Sequence, residues 1–300
     1  MPSSIIQNYF NDCDNLINNW MSPITNRSLL SSDPFLSNSP VLSGSPYYDA
    51  MPEPFLGDPD NNLAVIVDLN PGFTDVNNKY GVHPDNIVLS NSVMTPILSS
   101  KGGYSQYAIP FPHLCPNPHH IAAAGWWRIR EKWLSKIARM NGYVNTYSRC
   151  QDGFDIPDCK PFAIELCPWH SKKWEDSGIK QYTPNQINWI NNQVLKIAEE
   201  AVKGSKVKFI IGLGNSVGKA AKQLGFVVQK MWKSQNDCSH SGCWPVKDNG
   251  KEIAKTFVYL KKDDIKLLNI SAMYQVPPAA HFDNLLSKEI IPYINDSLKI

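Results

Sequence analysis

Short apolar runs separated by amphipathic stretches dominate the chain from position 63 onward. Three of these runs are continuous enough to be strands buried on both faces, at residues 63–67, 162–167 and 207–213. Two further apolar runs, at residues 256–259 and 266–270, flank a polar turn. They predict a hairpin whose second strand lies in the core.

Apolar residues at three- and four-residue spacing predict helices between these strands. Thr183-Pro184 supplies an N-cap and a first-turn proline, and the helix that follows is expected to end at Gly204. A second helix is predicted over residues 122–140, with one apolar face made of Trp126, Ile129, Trp133, Ile137 and Met140. A shorter helix is indicated within residues 5–20, where Ile6, Phe10, Leu16 and Trp20 share a face.

The alternation of strands and helices predicts an α/β fold. We expect a three-layer α/β/α sandwich around a short, mainly parallel sheet. Residues 1–45 contain clustered Ser, Pro, Asn and Gly, which predicts a partly irregular N-terminal extension. Residues 46–300 are then expected to form a single domain.

Composition and net charge exclude several classes of protein. Of the 300 residues, 42% are apolar and 19% are charged, which is a globular profile. A net charge of +2 excludes a strongly basic, histone-like binder but allows a local basic groove. No apolar stretch is long enough to cross a bilayer and no signal peptide is evident, so we expect no membrane partner. Seven cysteines without framework spacing predict reduced thiols in a cytoplasmic protein.

Candidate chemistry follows the ends of the strands, because ligands of α/β sheets bind beyond the carboxyl ends of the strands. The first strand runs into Asp68-Leu69-Asn70-Pro71-Gly72. Asp68 and Asn70 lie two apart and share a face, and the Pro-Gly turn fixes Asn70 at the mouth of the sheet. Taken alone, this segment is equally an ordinary strand-ending turn.

The segment before that strand, Glu53-Pro54-Phe55-Leu56-Gly57-Asp58-Pro59, changes this picture. Together with the segment after the strand, it resembles the uracil-DNA glycosylase superfamily, in particular its mismatch-specific and thymine-DNA branch. The resemblance implies that Asn70 positions the hydrolytic water and that Phe73 lines the base pocket. Asp68 stands where the family has Gly, so it either assists the water or is a hydrogen-bonded structural acid. Residues 109–113 and 125–127 are similar to a second stretch of that branch.

Glu165 interrupts the second apolar strand, where many superfamily members place a base-reading Asn. An ionised carboxylate there accepts from the N4 amino group of cytosine and repels O4 of uracil. The alternative is a structural partner for an Arg or a backbone amide. His170 is either a site residue or a loop histidine, and Lys172 and Lys173 either contact phosphate or are solvated.

The third strand leads into Gly214-Asn215-Ser216-Val217-Gly218-Lys219. A P-loop is excluded because three residues, not four, separate the glycines and Ala220 follows the lysine. A strand-to-helix turn of this kind still directs backbone N–H groups toward the ligand edge. We therefore expect Asn215, Ser216 and Lys219 to contact DNA.

The last strand ends at Asn269-Ile270-Ser271, which resembles the second superfamily motif with Ile in place of Pro. The resemblance implies that Asn269 and Ser271 bind the substrate. It also implies that the following loop, with Met273, Tyr274 and Gln275, contacts DNA and wedges into the duplex. His281 either donates to the departing base or caps the final helix.

The resemblance as a whole implies a monofunctional DNA glycosylase that needs no cofactor. Cys238, His240 and Cys243 do not supply four ligands at zinc spacing, so no metal is expected. The substrate favoured by an ionised Glu165 is a modified cytosine, as in phage DNA, which suggests phage defence. The alternatives are repair-type excision of uracil, a catalytically inert nucleic-acid-binding module and a small-nucleotide hydrolase. We expect a cytoplasmic monomer whose partner is DNA.

Overall fold

A computed structural model describes most of the chain. The described residues are 3–21, 51–68, 91–114, 121–149, 155–166, 168, 184–233, 237, 239, 257–270 and 284–296. For residues 113, 121–129, 184–192, 216 and 295–296 this description covers the backbone alone.

The described residues form a seven-stranded mixed sheet and a separate two-stranded ribbon. The strands, in chain order, are Phe55–Leu56 (β1), Val65–Asp68 (β2), Tyr147–Arg149 (β3), Asp155–Pro157 (β4), Phe162–Glu165 (β5), Phe209–Leu213 (β6), Val227–Trp232 (β7), Phe257–Lys262 (β8) and Ile265–Ile270 (β9). The large sheet has the order β1-β5-β2-β6-β9-β8-β7, and β3 pairs with β4 in the ribbon.

The four central strands of the sheet, β5, β2, β6 and β9, run parallel. The flanking strands β1, β8 and β7 pair antiparallel to their neighbours. The predicted α/β class is confirmed, whereas the prediction of a mainly parallel sheet holds for the centre alone. Every residue of β2, β5, β6 and β9 is buried, as their apolar runs predict.

The predicted hairpin is confirmed by β8 and β9. Lys262 pairs with Ile265 across a tight turn in which Asp263 adopts a positive φ of 53°. Asp is one of the few residues other than Gly that tolerates this conformation, so the polar turn suits the tight connection.

Seven α-helices accompany the strands in the described part of the chain: Ser4–Met21 (α1), Asn91–Lys101 (α2), Tyr104–Ala108 (α3), Ile121–Met140 (α4), Pro184–Ala201 (α5), Asn215–Gln223 (α6) and Ile291–Asp296 (α7). Both helices predicted between the strands are confirmed as α4 and α5. Trp133 and Ile137 of α4 are buried, whereas Met140 at its last position is 44% exposed. The buried part of the predicted apolar face therefore includes Trp133 and Ile137, and Met140 lies largely outside it.

The first helix belongs to the core rather than lying apart from it. All four apolar residues predicted to share its face are buried, and the Phe10 ring stacks on Phe55 of β1 at a centroid distance of 4.8 Å. Tyr9 donates a hydrogen bond to the carbonyl of Pro54 at 2.9 Å. Asp14 accepts from the backbone N–H of Ser105, at the start of α3, at 2.9 Å. The extension expected over residues 1–45 thus begins with a helix integrated into the domain.

No helix of the described residues combines the length and the apolar character that crossing a membrane requires.

Candidate functional site

The carboxyl ends of β2 and β5 bring two acidic side chains together. Asp68 and Glu165 are the last residues of these parallel strands and pair with each other in register. Their exposed fractions are 3% and 5%. Residues in register on neighbouring strands lie on the same face, so the two carboxyl groups meet inside the protein. Asp68 and Glu165, both predicted as site residues at strand ends, are thus neighbours at one edge of the sheet.

Arg130 of α4 completes this pair. Its Nη2 lies 3.1 Å from Oδ2 of Asp68, and its exposed fraction is 1%. Trp133, Leu134 and Ile137 follow it at helical spacing and are buried, so Arg130 occupies the face of α4 that packs inward. A buried ion pair of this kind fixes both partners, because removing either would leave the other charge uncompensated.

A third carboxyl group, that of Glu53, belongs to the same neighbourhood. Glu53 precedes β1, has an exposed fraction of 6%, and its backbone N–H donates to the carbonyl of Pro168 at 2.8 Å. The N–H of Glu165 donates in turn to the carbonyl of Pro54 at 3.0 Å. The two backbone bonds hold the segment before β1 against the end of β5. We call Glu53, Asp68 and Glu165 the acidic cluster: Glu53 is an electrostatic neighbour of Glu165, and Arg130 is a neighbour of Asp68 and Glu165.

The electrostatics of the acidic cluster favour a neutral Glu165. Burial raises the pKa of Glu165 well above its usual range, the charge of Asp68 raises it further, Arg130 opposes the rise and Glu53 adds to it. Burial also lowers the pKa of Arg130 to about 10, against the opposing effect of Asp68 and Glu165. Arg130 therefore remains a cation at neutral pH, and Glu165 is the acid driven toward its protonated form.

Oε2 of Glu165 is buried and has no hydrogen-bond partner within the described ranges. Buried polar atoms in native proteins almost always have a partner. A protonated carboxylic acid can donate one hydrogen bond and accept others, whereas a carboxylate only accepts. The expectation that Glu165 repels O4 of uracil therefore applies to its ionised form alone.

Most of the other predicted site residues lie outside the described residues. They are Asn70, Phe73, His170, Lys172, Lys173, Ser271, Met273, Tyr274, Gln275 and His281. In the chain, Asn70 follows the last residue of β2 by two positions, and Ser271 directly follows β9. Their proposed roles stay predictions.

The turn after β6 lies at the same edge of the sheet as Asp68, since β2 and β6 are parallel neighbours. Gly214, at a φ of 90°, precedes α6, which begins at Asn215. Asn215 and Lys219 are exposed, and for Ser216 only the backbone is described. Asn215 and Lys219 are thus accessible to solvent, as a phosphate contact requires, and their contact with DNA stays a prediction.

Asn269 of β9 has a different environment from the one predicted. It is 3% exposed, and its Nδ2 donates to the carbonyls of Gly212 at 3.1 Å and Gly214 at 2.8 Å. A Cβ built on Gly218 would lie 2.5 Å from its Oδ1, so α6 approaches the amide too closely for a larger residue. The geometry shows Asn269 holding the β6–α6 turn, with both amide hydrogens engaged by the backbone.

Two of the segments that resemble the glycosylase superfamily touch each other. Gly57 has a φ of 97°, and a Cβ there would lie 2.2 Å from the carbonyl oxygen of Pro161 and 3.1 Å from the Phe111 ring. Phe111 is buried and has a positive φ of 57°, a strained conformation for a bulky residue. Such strain persists where the surrounding packing enforces it. The close contact between Gly57 and Phe111 therefore holds residues 53–59 and 109–113 against each other.

The sequence analysis did not identify two residues of this site, Arg130 and Glu53. The signal for Arg130 is its position within the apolar stripe of α4, four residues after Trp126 and three before Trp133. A charged residue inside such a stripe indicates a buried ion pair. For Glu53, no comparable periodicity exists, because β1 has two residues.

A metal is not supported by the described part of the chain, where no group of three or more His, Cys, Asp or Glu side chains is arranged to hold an ion.

Models of known protein families, curated proteins and solved structures give no match to this chain. The interpretation therefore depends on the chain's own motifs and geometry.

Proposed function

We propose that the protein is a monofunctional DNA glycosylase with an α/β/α glycosylase-like fold, acting on a base flipped from DNA. The observation that carries this proposal is the buried meeting of Asp68 and Glu165 at the carboxyl edge of the parallel strands. Asn70, the residue that resembles the water-positioning Asn of the superfamily, follows Asp68 by two positions. The proposed site thus lies where an α/β sheet usually binds its ligand.

The reaction would transfer the deoxyribosyl group from the base to water. Water oxygen bonds to the sugar C1′, the C1′–N bond breaks, and its electron pair leaves with the base, which takes up a proton released by the water. The transition state carries positive charge on the sugar. Asp68 is paired with Arg130 and Glu165 is driven toward its neutral form, so Glu53, the remaining buried acid beside Glu165, would stabilise that charge when ionised.

The roles of the two acids differ in this proposal. Asp68 bonds Arg130 at 3.1 Å, an arrangement that favours the structural-acid interpretation, in which Asp68 holds the end of β2 in place. Asn70 would orient the water. Glu165, whose Oε2 has no partner within the described ranges, would contact the base edge. We keep a modified cytosine as the expected base, because its N4 amino group donates to the ionised or the neutral acid alike.

Excision of uracil is the second candidate, and the raised pKa of Glu165 specifically favours it. A neutral Glu165 can donate to O4 of uracil while accepting from its N3–H. Excision of uracil therefore requires a neutral Glu165, whereas excision of a modified cytosine tolerates either protonation state of this residue.

The test is base release from synthetic DNA containing uracil, a 5-substituted cytosine or unmodified cytosine. Asn70→Ala should lower single-turnover release by about 10²-fold or more while DNA affinity stays within a few-fold. Asn61→Ala is a matched control, because Asn61 is exposed at the opposite end of β2. Free base together with alkali-labile abasic sites, without prior strand scission, would support the glycosylase.

Three other outcomes would redirect the proposal. DNA binding without base release would identify an inert binding module. Near-normal release by Asn70→Ala would move the catalytic role to another residue. Efficient release of uracil with every modified cytosine spared would identify the repair-type alternative.

A further inference from the structure

The edge of the sheet opposite the acidic cluster carries an open pocket of about 580 Å³. Its lining contains four lysines and two aspartates. The lysine pocket, as we call it, is lined by Asn141, Lys206, Val207, Lys208, Lys261, Asp263, Asp264 and Lys266. Its volume falls in the usual range for small-molecule sites, and its ionisable groups give it a net positive charge.

Two of these lysines face each other directly across the β8–β9 hairpin. Lys261 and Lys266 are cross-strand partners, so their side chains lie on the same face of the sheet. Like charges in this arrangement destabilise a sheet. Lys266 is also only 7% exposed as a residue, and its ammonium group is partly buried. Burial and the charge of Lys261 both lower the pKa of Lys266.

The described residues offer little to offset this charge. Lys266 Nζ donates to Oδ1 of Asn141 at 3.1 Å, the one acceptor it has within the described ranges. Asp263 and Asp264 are exposed in the hairpin turn, and among the described residues neither forms an ion pair with a lysine. A partly buried ammonium group next to a second ammonium group is destabilising unless an anion balances the charge.

Neighbouring strands bring a third lysine to the same place. The backbone N–H of Lys266 donates to the carbonyl of Lys208 at 3.0 Å, at the start of β6. Lys208 Nζ is held by the carbonyl of Val202 at 3.3 Å. Lys206 is exposed at the rim. The paired backbones of the adjacent strands β6, β9 and β8 thus fix the floor of the pocket.

We propose that the lysine pocket binds a phosphate-class oxyanion between Lys261 and Lys266. Phosphate oxygens accept charge-assisted hydrogen bonds from ammonium groups, and one anion would separate the facing charges. The lysine pocket lies at the amino ends of the parallel strands, whereas Asp68 and Glu165 lie at the carboxyl ends of β2 and β5. It is therefore distinct from the proposed catalytic edge and does not depend on the proposed function.

Calorimetric titration of the full chain with inorganic phosphate and with pyrophosphate tests the site. We expect saturable binding that Lys261→Gln and Lys266→Met each weaken about tenfold or more. Lys196→Gln is the matched control, since Lys196 is exposed on α5 and lies outside the pocket. Absence of saturable binding to the unmodified chain, or equal affinity in all three variants, would overturn the proposal.

Thermal unfolding separates a lost site from a damaged fold. In phosphate-free chloride buffer, Lys261→Gln should have a Tm equal to or above that of the unmodified chain, because it removes a like-charge pair. Phosphate at about ten times its Kd should raise the Tm of the unmodified chain by about 2 °C relative to chloride of equal ionic strength. The same rise in Lys261→Gln would contradict the proposal.

A second experiment distinguishes a phosphate of the nucleic-acid backbone from a free phosphate compound. It measures binding of short duplex DNA at fixed salt concentration. If the pocket takes the nucleic-acid backbone, Lys261→Gln should weaken duplex binding and inorganic phosphate should compete with it. If the pocket takes a free phosphate compound, duplex affinity should be unchanged while the calorimetric loss remains. Both results support an oxyanion site and assign its source.

Discussion

At the scale of single residues, the main feature is an imbalance of buried charge. Glu53, Asp68 and Glu165 are each less than 10% exposed, and the guanidinium of Arg130 is an electrostatic neighbour of Asp68 and Glu165. Arg130 contacts Asp68 directly and compensates the charge of that acid. Glu165 has no such contact within the described part of the chain, and its pKa is raised. Functional sites often contain such perturbed groups, although structural networks produce them as well.

The raised pKa of Glu165 predicts how stability changes with pH. The folded protein holds the proton of Glu165 at pH values where the unfolded chain has released it, so the free energy of unfolding falls as pH rises above the ordinary glutamate pKa. Glu165→Gln removes this proton uptake. The variant should therefore gain stability relative to the unmodified chain as pH increases through that window, as measured by denaturant unfolding at a series of pH values.

Glu200→Gln provides a control of opposite sign. The hydrogen bond from Lys203 lowers the pKa of Glu200, and this surface pair should contribute little. If Glu165→Gln were instead less stable by the same amount at every pH, Glu165 would be an ionised structural acid in the folded protein.

The sequence allowed part of this site to be predicted. The strand-end rule places Asp68 and Glu165 at one edge because it needs only the order of two parallel strands. The contact of Arg130 with Asp68 joins residues that are 62 positions apart, and it depends on how α4 rotates over the sheet. Apolar periodicity alone does not reveal which acid a buried arginine meets.

At the scale of elements, the strands and helices that carry an internal pattern were predictable. The central strands β2, β5 and β6 are continuous apolar runs, and α5 begins at the proline that its capping signal predicts. The edge strands lack such a pattern. β1 has two residues, and β7 exposes Val227, Val228 and Gln229 at its start, so neither resembles a buried strand. The antiparallel pairing of β1 and β7 therefore could not be inferred, whereas that of β8 with β9 follows from the predicted hairpin.

The docking of α1 is a second result that local pattern does not supply. Its apolar face predicts a helix but not its partner, and the structure places Phe10 against Phe55 of β1. Phe10→Ala should destabilise the whole domain by about 3–5 kcal/mol, because it removes a buried ring from the core. Denaturant unfolding would measure this loss as a shift of a single transition.

Ile5→Ala is the control on the same helix, since Ile5 is 47% exposed. We expect it to change the free energy of unfolding by no more than about 0.5 kcal/mol. Equal, small effects of both variants would show that α1 adds little to the domain, in agreement with the peripheral extension expected from composition.

At the scale of the whole molecule, the sheet separates two opposite chemistries. Acidic groups gather where β2 and β5 end, and lysines gather where β6 and β9 begin. The net charge of +2 is a sum over the whole chain, so it reveals neither the acidic cluster nor the lysine pocket. Composition could therefore exclude a strongly basic protein, but only the topology shows that a local basic pocket exists and that it is remote from the proposed catalytic edge.

The proposed action on duplex DNA also belongs to this scale, because it needs the catalytic edge and a wedge to act together. Met273 and Tyr274 lie outside the described residues, in the segment that follows β9, and the motif resemblance implies that they fill the space left by a flipped base. Replacing both with Ala should reduce base release from duplex about tenfold or more beyond any reduction on single strands. Unstacking a paired base costs a few kcal/mol, and a single strand demands much less of it.

Single-turnover release from matched duplex and single-stranded substrates measures this difference. Met140→Ala serves as the control, because Met140 is exposed at the end of α4 and should not affect the ratio of the two rates. A substrate with the target base opposite a mismatch should recover part of the loss, since the base is already weakly paired. Equal reductions on duplex and single strands would mean that the segment after β9 acts on the base or on catalysis rather than as a wedge.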